Sequence, residues 1–313
     1  MDISLIVPVF NEESTIDFFF NEVKNNQFLS KKDIEIIFIN DGSTDNTEIE
    51  ISKIIKKDPN ITLINLSRNF GKESALFAGL EASKGKFVVP IDVDLQDPIY
   101  MIEVMFDKIN NGYDVVLAKR IDRSSDSYIK RNTANLFYKV HNLISDIKIE
   151  PNVGDFRMMS RTVVDSIISL SETQLFMKGV LSWIGYNTTI VTYRREKRSA
   201  GNTKFRVLKL WNLAIEGITS FSTVPLKLWT YLGLAISLSS FLYAINLILD
   251  KLIFGNDVAG YPSIMVSILF LGGIQLIGIG VIGEYLGRVY METKRRPRYI
   301  IRDILHSKVD NNQ

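Results

Sequence analysis

The sequence contains no cysteine, which excludes a disulfide framework, a thiolate metal site and a thiol nucleophile. Histidine is nearly absent as well. The 313 residues hold only His141 and His306, and nothing in the sequence places the two together, so a metal site would have to be built from carboxylates. No charge of one sign dominates. Lys and Arg number 37 against 35 Asp and Glu, a formal charge of +2. That gives no global argument for nucleic acid as a partner, and local basic clusters carry more information than the sum. The N-terminus, MDISLIVPVFNEES, has no basic leader, and its apolar run stops at Asn11. It reads as the first buried strand of a cytoplasmic domain rather than as a signal peptide.

Charge is also missing from two long stretches, residues 228–249 and 262–283. Each exceeds the roughly 20 residues a helix needs to cross a hydrocarbon core. A pair of buried helices in a soluble protein is the alternative, but soluble helices are rarely apolar on every face for this long. The second stretch carries Gly272, Gly273, Gly278, Gly280 and Gly283. Small residues suit close helix packing in lipid and offer a face for a homo-oligomer. Basic residues set the expected orientation. Arg288, Lys294, Arg295, Arg296, Arg298 and Arg302 follow the second stretch and Lys227 precedes the first, whereas the connector 250–261 has only Lys251. The N-terminal domain and the C-terminal tail are therefore expected in the cytoplasm, with the connector outside. In residues 205–221, Leu208, Trp211, Ile215 and Ile218 share one helical face. This segment reads as an interfacial helix along the headgroups, or as an ordinary amphipathic helix packed on the domain. The expected division is a catalytic domain over 1–204, the interfacial region 205–226, two transmembrane helices within 227–289 and a basic tail over 290–313.

The N-terminal part alternates apolar runs with helical segments. Strands are expected at 3–10, 34–39, 61–66, 87–91 and 115–118. Helices are expected at 11–26, 44–57, 74–83 and 98–111, with Asn11 capping the first, and Asp97 and Pro98 opening the last. Strands apolar on both faces, alternating with helices, imply an α/β fold with a mostly parallel sheet covered on both sides. Ligands in such sheets sit beyond the C-terminal ends of the strands. Asn11-Glu12-Glu13, Asp41-Gly42-Ser43 and Asp92-Val93-Asp94 all fall at those ends. A dehydrogenase would carry GxGxxG after its first strand, and that motif is missing.

The segment PIDVDLQDP holds Asp92, Asp94 and Gln96. In an extended chain, residues two apart face one side. Two carboxylates and an amide carbonyl then make a hard oxygen site suited to Mg²⁺ or Mn²⁺, able to neutralise a departing diphosphate. An isolated DxD triplet also occurs in solvated loops; its place after a buried strand argues for a site. Asp41-Gly42-Ser43 by itself could be only a turn opening a helix. Two basic clusters precede the apolar stretches: Lys119, Arg120, Arg123, Lys130 and Arg131, then Arg194, Arg195, Lys197, Arg198, Lys204 and Arg206. A phosphate headgroup entering from a bilayer has to be met by cations, which Arg supplies with paired hydrogen bonds. General attraction to anionic lipid is the alternative.

PVFNEE, INDGSTDNT, SRNFGKESALFAGL, PIDVDLQDP, VLAKR and NVGDFRMMS occur in this order. So arranged, they resemble glycosyltransferase family 2, in the branch that glycosylates polyprenyl phosphates. The resemblance runs on through SAGNTKF, both apolar stretches and EYLGRVYMETKRRPRYII, and so covers nearly the whole chain. Within the branch the sequence most resembles bactoprenol glucosyltransferases of O-antigen modification, and it is similar to dolichol-phosphate mannose synthases. This implies a GT-A type nucleotide-diphospho-sugar transferase domain at the bacterial cytoplasmic membrane, moving a hexose from a nucleotide donor onto undecaprenyl phosphate with Mg²⁺ or Mn²⁺. The expected donor is UDP-glucose, though no single residue separates glucose from other hexoses or UDP from GDP. The resemblance also implies roles. Pro8, Asn11, Glu12 and Asp41 line the nucleoside pocket, and Arg68 and Lys72 border it near the phosphates. Asp92, Asp94 and Gln96 hold metal and diphosphate. Asp155 lies near the anomeric carbon, as base or positioning group. Arg120, Arg198 and Lys204 suit the lipid phosphate or the donor diphosphate. A flippase and a second transferase are implied as pathway partners.

A phosphate monoester is largely a dianion at neutral pH, with its second pKa near ~6, so the acceptor needs little help losing a proton. Asp155 is therefore expected mainly to position groups and stabilise charge on the sugar. Two other readings compete. A processive polysaccharide synthase needs a translocation channel that two spans cannot build alone, and its QxxRW pattern is absent. A non-catalytic membrane scaffold with a decayed transferase domain sits poorly with an intact Asp92, Asp94, Gln96 and Asp155 set.

Overall fold

Eight strands form one mixed sheet in the computed structural model, which describes residues 1–121, 142, 148, 150–151, 153–170, 172, 177–194, 222–254 and 260–307. In chain order the first elements are β1 (Ile3–Val9), α1 (Ile16–Asn25), β2 (Ile34–Asn40), α2 (Thr47–Ile55), β3 (Ile61–Leu66), α3 (Lys72–Ala82), β4 (Phe87–Pro90), α4 (Met101–Asn110) and β5 (Val115–Arg120). Then come β6 (Val153–Ser160), α5 (Arg161–Ile168), α6 (Met177–Ile184), β7 (Thr188–Tyr193), α7 (Val224–Phe254), α8 (Tyr261–Thr293) and β8 (Ile301–His306). The strand order is β7-β5-β6-β4-β1-β2-β3-β8. The pairs β1/β2, β1/β4, β2/β3 and β5/β7 are parallel, while β6 runs antiparallel to β4 and β5, and β8 antiparallel to β3.

The central strands are apolar on both faces because both faces are covered. Leu5, Val7 and Phe38 pack with Phe19, Ile51, Ile102 and Phe156 on one side. Ile6, Ile37, Ile39 and Ile64 pack with Phe77, Val163 and Ile167 on the other. Each fully buried large side chain contributes about 1.5–3 kcal/mol relative to exposure, so every βα unit is held independently of any ligand.

The expected strands agree with β1 to β5 to within two residues at each end. Three helix starts do not, and the second begins at Thr47 rather than at residue 44. The first helix begins at Ile16, not Asn11, because residues 11–13 are tied across to the loop after β2 rather than wound into a turn. The fourth begins at Met101 with no side-chain cap. Asp97, expected as its cap, is 2% exposed and committed elsewhere. Expectation gave the tail no element, yet residues 301–306 return to the sheet as its edge strand, with Asn65 opposite Asp303. The segment 205–221 lies outside the described residues, as do Arg198 and Lys204.

Helices cover both expected apolar stretches and pack against each other as an antiparallel hairpin. The Tyr285 hydroxyl donates to the Ser222 carbonyl at 2.6 Å. The Trp229 indole lies so close to Gly278 that a Cβ there would come within 2.0 Å of Nε1. Among the described residues one helical segment, Val266–Thr293, meets the length and apolarity needed to cross a membrane. Large apolar side chains stand exposed along both helices, Leu234 at 67% and Leu276 at 71% among them.

Candidate active site

The loops after β1 and β2 are stitched together. Asn11 takes a left-handed backbone conformation, φ 56°, which turns its amide toward the second loop. Its N–H donates to Ser43 Oγ at 3.0 Å, and its Oδ1 accepts from the Thr44 N–H at 2.8 Å. The N–H of Glu12 reaches Thr47 Oγ1 at 2.9 Å. Asp41, at the start of the second loop, is nearly buried and accepts the N–H groups of Phe70 and Gly71 at 2.7 and 3.0 Å. Burial pushes its carboxyl above the usual range, against those two hydrogen bonds and the Arg68 charge. Next to it, Gly42 at φ 70° lies against the Arg68 backbone. Asp41 thereby fixes the SRNFGK loop, and with it the residue that opens α3, Lys72.

Lys72 reaches across the C-terminal ends of the strands. Its Nζ is 2.6 Å from Asp92 Oδ1 and 2.8 Å from Asp155 Oδ2. Desolvation opposes its charge, but the two carboxylates outweigh this and hold its pKa up. Asp155 is held from behind as well. Arg157, 3% exposed, folds back so that Nη2 donates to the Gly154 carbonyl at 2.6 Å and Nε to the Asp155 carbonyl at 3.0 Å. Its Nη2 also lies 3.8 Å from Asp155 Oδ1. Burial pulls the Arg157 pKa down, against the pull of Asp155 and Glu73.

Alternation along an extended strand does not govern Asp92 and Asp94. β4 ends at Pro90, the chain turns at residues 93–94, and Leu95 is left-handed at φ 55°. Such a conformation in a non-glycine residue costs energy and collects at functional sites. The turn lets Asp94 Oδ1 accept the Gln96 N–H at 3.2 Å. Gln96 is buried, and its Oε1 has no hydrogen-bond partner among the described residues. On the opposite flank, Arg120 Nε donates to the Tyr193 hydroxyl at 3.1 Å, and its Nη2 lies 3.7 Å from Asp97 Oδ1. The Tyr193 hydroxyl in turn donates to Asp97. Desolvation works against the Arg120 charge, and Tyr193, Asp97 and Asp92 together raise its pKa.

A family model described as glycosyl transferase family 2 matches residues 4–168, and a second, the GtrB C-terminal hairpin, matches residues 224–289. The chain belongs to glycosyltransferase family 2. It is 58% identical over 304 residues to a prophage bactoprenol glucosyl transferase homolog of Escherichia coli (strain K12), covering 97% of this chain and 99% of that protein. It is also 58% identical over 303 residues to a bactoprenol glucosyl transferase of Shigella phage SfV, with the same coverage. The α/β domain of this glycosyltransferase, with its mostly parallel sheet, is of the GT-A type.

In the family 2 domain, the expected residues fall into four groups. Asn11, Glu12 and Asp41 knit loops together, and half-buried Pro8 lies in β1 beside them. Arg68 stacks its guanidinium 4.1 Å from the Phe70 ring centroid. Lys72, Asp92 and Asp155 converge, while Arg120 pairs with Asp97. Among the described residues, no group of three or more His, Asp or Glu side chains is gathered for an ion. The expected set still suits a hard cation in its chemistry, since it joins two carboxylates to a buried amide oxygen that no group among the described residues satisfies. Asp97, Arg157 and Tyr193 were missed as site residues. Asp97 reads equally as a helix cap, Tyr193 lies in an unremarkable β pattern, and Arg157, within GDFR, carries no signal of its own that it folds back onto the backbone.

Proposed function

We propose that this glycosyltransferase moves glucose from UDP-glucose to undecaprenyl (bactoprenyl) phosphate at the cytoplasmic face of the bacterial inner membrane. The observation carrying this reading is the full-length similarity to bactoprenol glucosyl transferases, hairpin included, joined to a cluster of Lys72, Asp92 and Asp155 at the strand ends. The lipid phosphate oxygen bonds to the anomeric carbon as the bond from that carbon to UDP breaks, so the configuration inverts. The acceptor arrives ionised, and Asp155, held by Lys72 and Arg157, supplies a fixed negative charge beside the sugar as positive charge develops. Pro8, Asn11, Glu12 and Asp41 shape the nucleoside pocket, with Arg68 and Lys72 toward the phosphates. Arg120, Arg198 and Lys204 meet phosphate groups of lipid or donor. Asp92, Asp94 and Gln96 would hold Mg²⁺ or Mn²⁺, which supplies charge neutralisation for the leaving diphosphate.

The two apolar helices are read as a transmembrane hairpin anchoring the enzyme beside its lipid substrate. Topology supports one side for both ends: Ser222, just before α7, meets Tyr285 of α8, and the chain after α8 returns to the sheet as β8. If the hairpin spans, domain and tail share a compartment, which the basic residues assign to the cytoplasm. The glycine-rich second helix offers a face for a homo-oligomer, and a flippase and a second transferase join the reading by family analogy.

The test is a transfer assay with purified protein in detergent, undecaprenyl phosphate and a panel of radiolabelled UDP- and GDP-sugars, with Mg²⁺, Mn²⁺ or EDTA. Label entering the lipid phase from UDP-glucose, and only with metal, is expected. Transfer from a different sugar would overturn glucose, and transfer in EDTA would overturn the metal site.

A further inference from the structure

The tail strand carries an acidic residue into a buried line of amides that ends at the proposed donor loop. Asn40 and Asn65 lie opposite each other on β2 and β3, and Asp303 lies opposite Asn65 on β8. The two asparagines are 2% and 0% exposed. Burying amides is unfavourable unless each group is bonded, and here the bonds form one directed series. Asn65 Nδ2 donates to Asp303 Oδ1 at 2.7 Å and to Glu48 Oε1 at 3.2 Å. Asn40 Nδ2 donates to Asn65 Oδ1 at 2.9 Å. The Ser43 N–H donates to Asn40 Oδ1 at 2.9 Å, and Ser43 Oγ accepts from the Asn11 N–H.

The direction of this series is set at its outer end. An amide can turn either face to a neighbour, but a carboxylate only accepts. With Asp303 and Glu48 both taking hydrogens from Asn65, Asn65 must present its oxygen to Asn40. Asn40 must then present its own oxygen to the Ser43 N–H. The tail is held in register for this task. Arg302 binds both oxygens of Glu48 at 2.8 Å and sits 2.5 Å from Asp303. Arg298 donates to the Glu172 carbonyl at 2.6 Å and stacks 3.8 Å from the Phe77 ring centroid.

We infer that Asp303 is a positioning residue for the nucleotide-sugar donor: through Asn65 and Asn40 it fixes the 41–44 loop that the donor occupies. The inference rests on the placement of the donor site at that loop. It gives the returning tail a role in the reaction, since the chain passes from the end of α8 at Thr293 to β8 at Ile301 within a few residues.

The experiment uses the full-length protein and compares Asp303→Ala, Asp303→Asn and Asp303→Ala/Glu48→Ala with His306→Ala, which alters β8 at its far end. Steady-state KM is measured for the sugar nucleotide and for the lipid phosphate, and UDP affinity by calorimetry. Losing one ordering hydrogen bond corresponds to about three- to ten-fold. The expected result is a donor KM and UDP Kd raised by that factor in Asp303→Ala and further in the double variant. Asp303→Asn should fall between, with lipid KM and kcat within about twofold by the same measure, and His306→Ala should match wild type. A wild-type donor KM in both Asp303→Ala and the double variant would overturn the inference. So would an equal rise in both KM values shared by His306→Ala, the pattern of a strand that merely stabilises the fold. Should the double variant not fold, the two single Asp303 variants decide. Asn11→Ala, measured in parallel, tests the placement of the donor site itself. If UDP affinity is unchanged there, the loop is not the donor site; if it falls there but not in Asp303→Ala, only the relay is lost.

Discussion

The ammonium nitrogen of Lys72 lies 2.8 Å from Oδ2 of Asp155, although the two residues come from α3 and β6, more than eighty residues apart in the chain. The same nitrogen touches Asp92, so one cation gathers the two carboxylates nearest the proposed reaction centre. Lys72→Met removes the cation that the two carboxylates share and leaves the Asp155 carboxylate to Arg157, 3.8 Å away. Losing one pre-organised cationic contact where charge develops costs about 10²–10³ in kcat. The expected result is a kcat drop of that size in the transfer assay, with Lys72→Arg between variant and wild type. A Lys72→Met enzyme turning over within twofold of wild type would remove Lys72 from the site.

Gln96 separates stability from function. Its buried Oε1 has no partner among the described residues, and an unsatisfied buried acceptor costs about 1–3 kcal/mol. Gln96→Leu should therefore leave the melting temperature unchanged or higher, while the Mn²⁺ or Mg²⁺ concentration for half-maximal transfer rises. Asp94→Ala should abolish transfer at any metal concentration. A Gln96→Leu protein that melts lower and responds to metal like wild type would show that the amide is structural.

The contrast between these two residues marks what sequence could reveal. Hydrophobic runs bounded by polar clusters placed β1 to β5 and put Asp41, Asp92 and Asp94 at the strand ends, because burial on both faces leaves a periodic trace. Which side chains then meet has no such trace. Alternation predicted Asp92 and Asp94 side by side, but the turn at residues 93–94 and a left-handed Leu95 decide their directions. Asp97 before Pro98 carries the signature of a helix cap, yet tertiary contacts with Arg120 and Tyr193 claim it. β8 escaped because YIIRDILH sits in a basic tail after an apolar helix, and its partner strand is more than two hundred residues earlier in the chain.

Gly42 is where the loop after β2 touches the loop after β3. Its φ is 70°, and a Cβ there would come within 2.6 Å of the Arg68 carbonyl carbon. Gly42→Ala has to meet the left-handed penalty of about 1–2 kcal/mol and also push the Arg68–Asn69 backbone away. Since Asp41 holds Phe70 and Gly71 from the adjacent position, that shift is passed to Lys72. A lower melting temperature and weaker UDP binding are expected together, read by thermal denaturation and calorimetry. Wild-type UDP affinity in a destabilised Gly42→Ala protein would separate this loop from the donor.

Docking of the tail should respond to acid in a defined direction. Partial burial opposes the Asp303 charge, but hydrogen bonds from Arg302 and Asn65 outweigh it, and the carboxyl is held below the ordinary range. The unfolded chain returns it to about 3.9. An acid with a depressed folded pKa contributes stability that is complete above the unfolded value and is lost as pH falls through the folded one. The loss therefore begins near pH 4 and deepens below it. Asp303 is 37% exposed at its side chain, so solvent limits the contribution to about 1 kcal/mol or less. Thermal melts of the intact protein between pH 3 and 7 should show wild type converging on Asp303→Asn as pH drops, and separating from it above pH 5. Parallel curves across the whole range would mean that the carboxylate charge contributes nothing to holding β8, and that its backbone ladder and the contacts of Arg298 and Arg302 retain the strand.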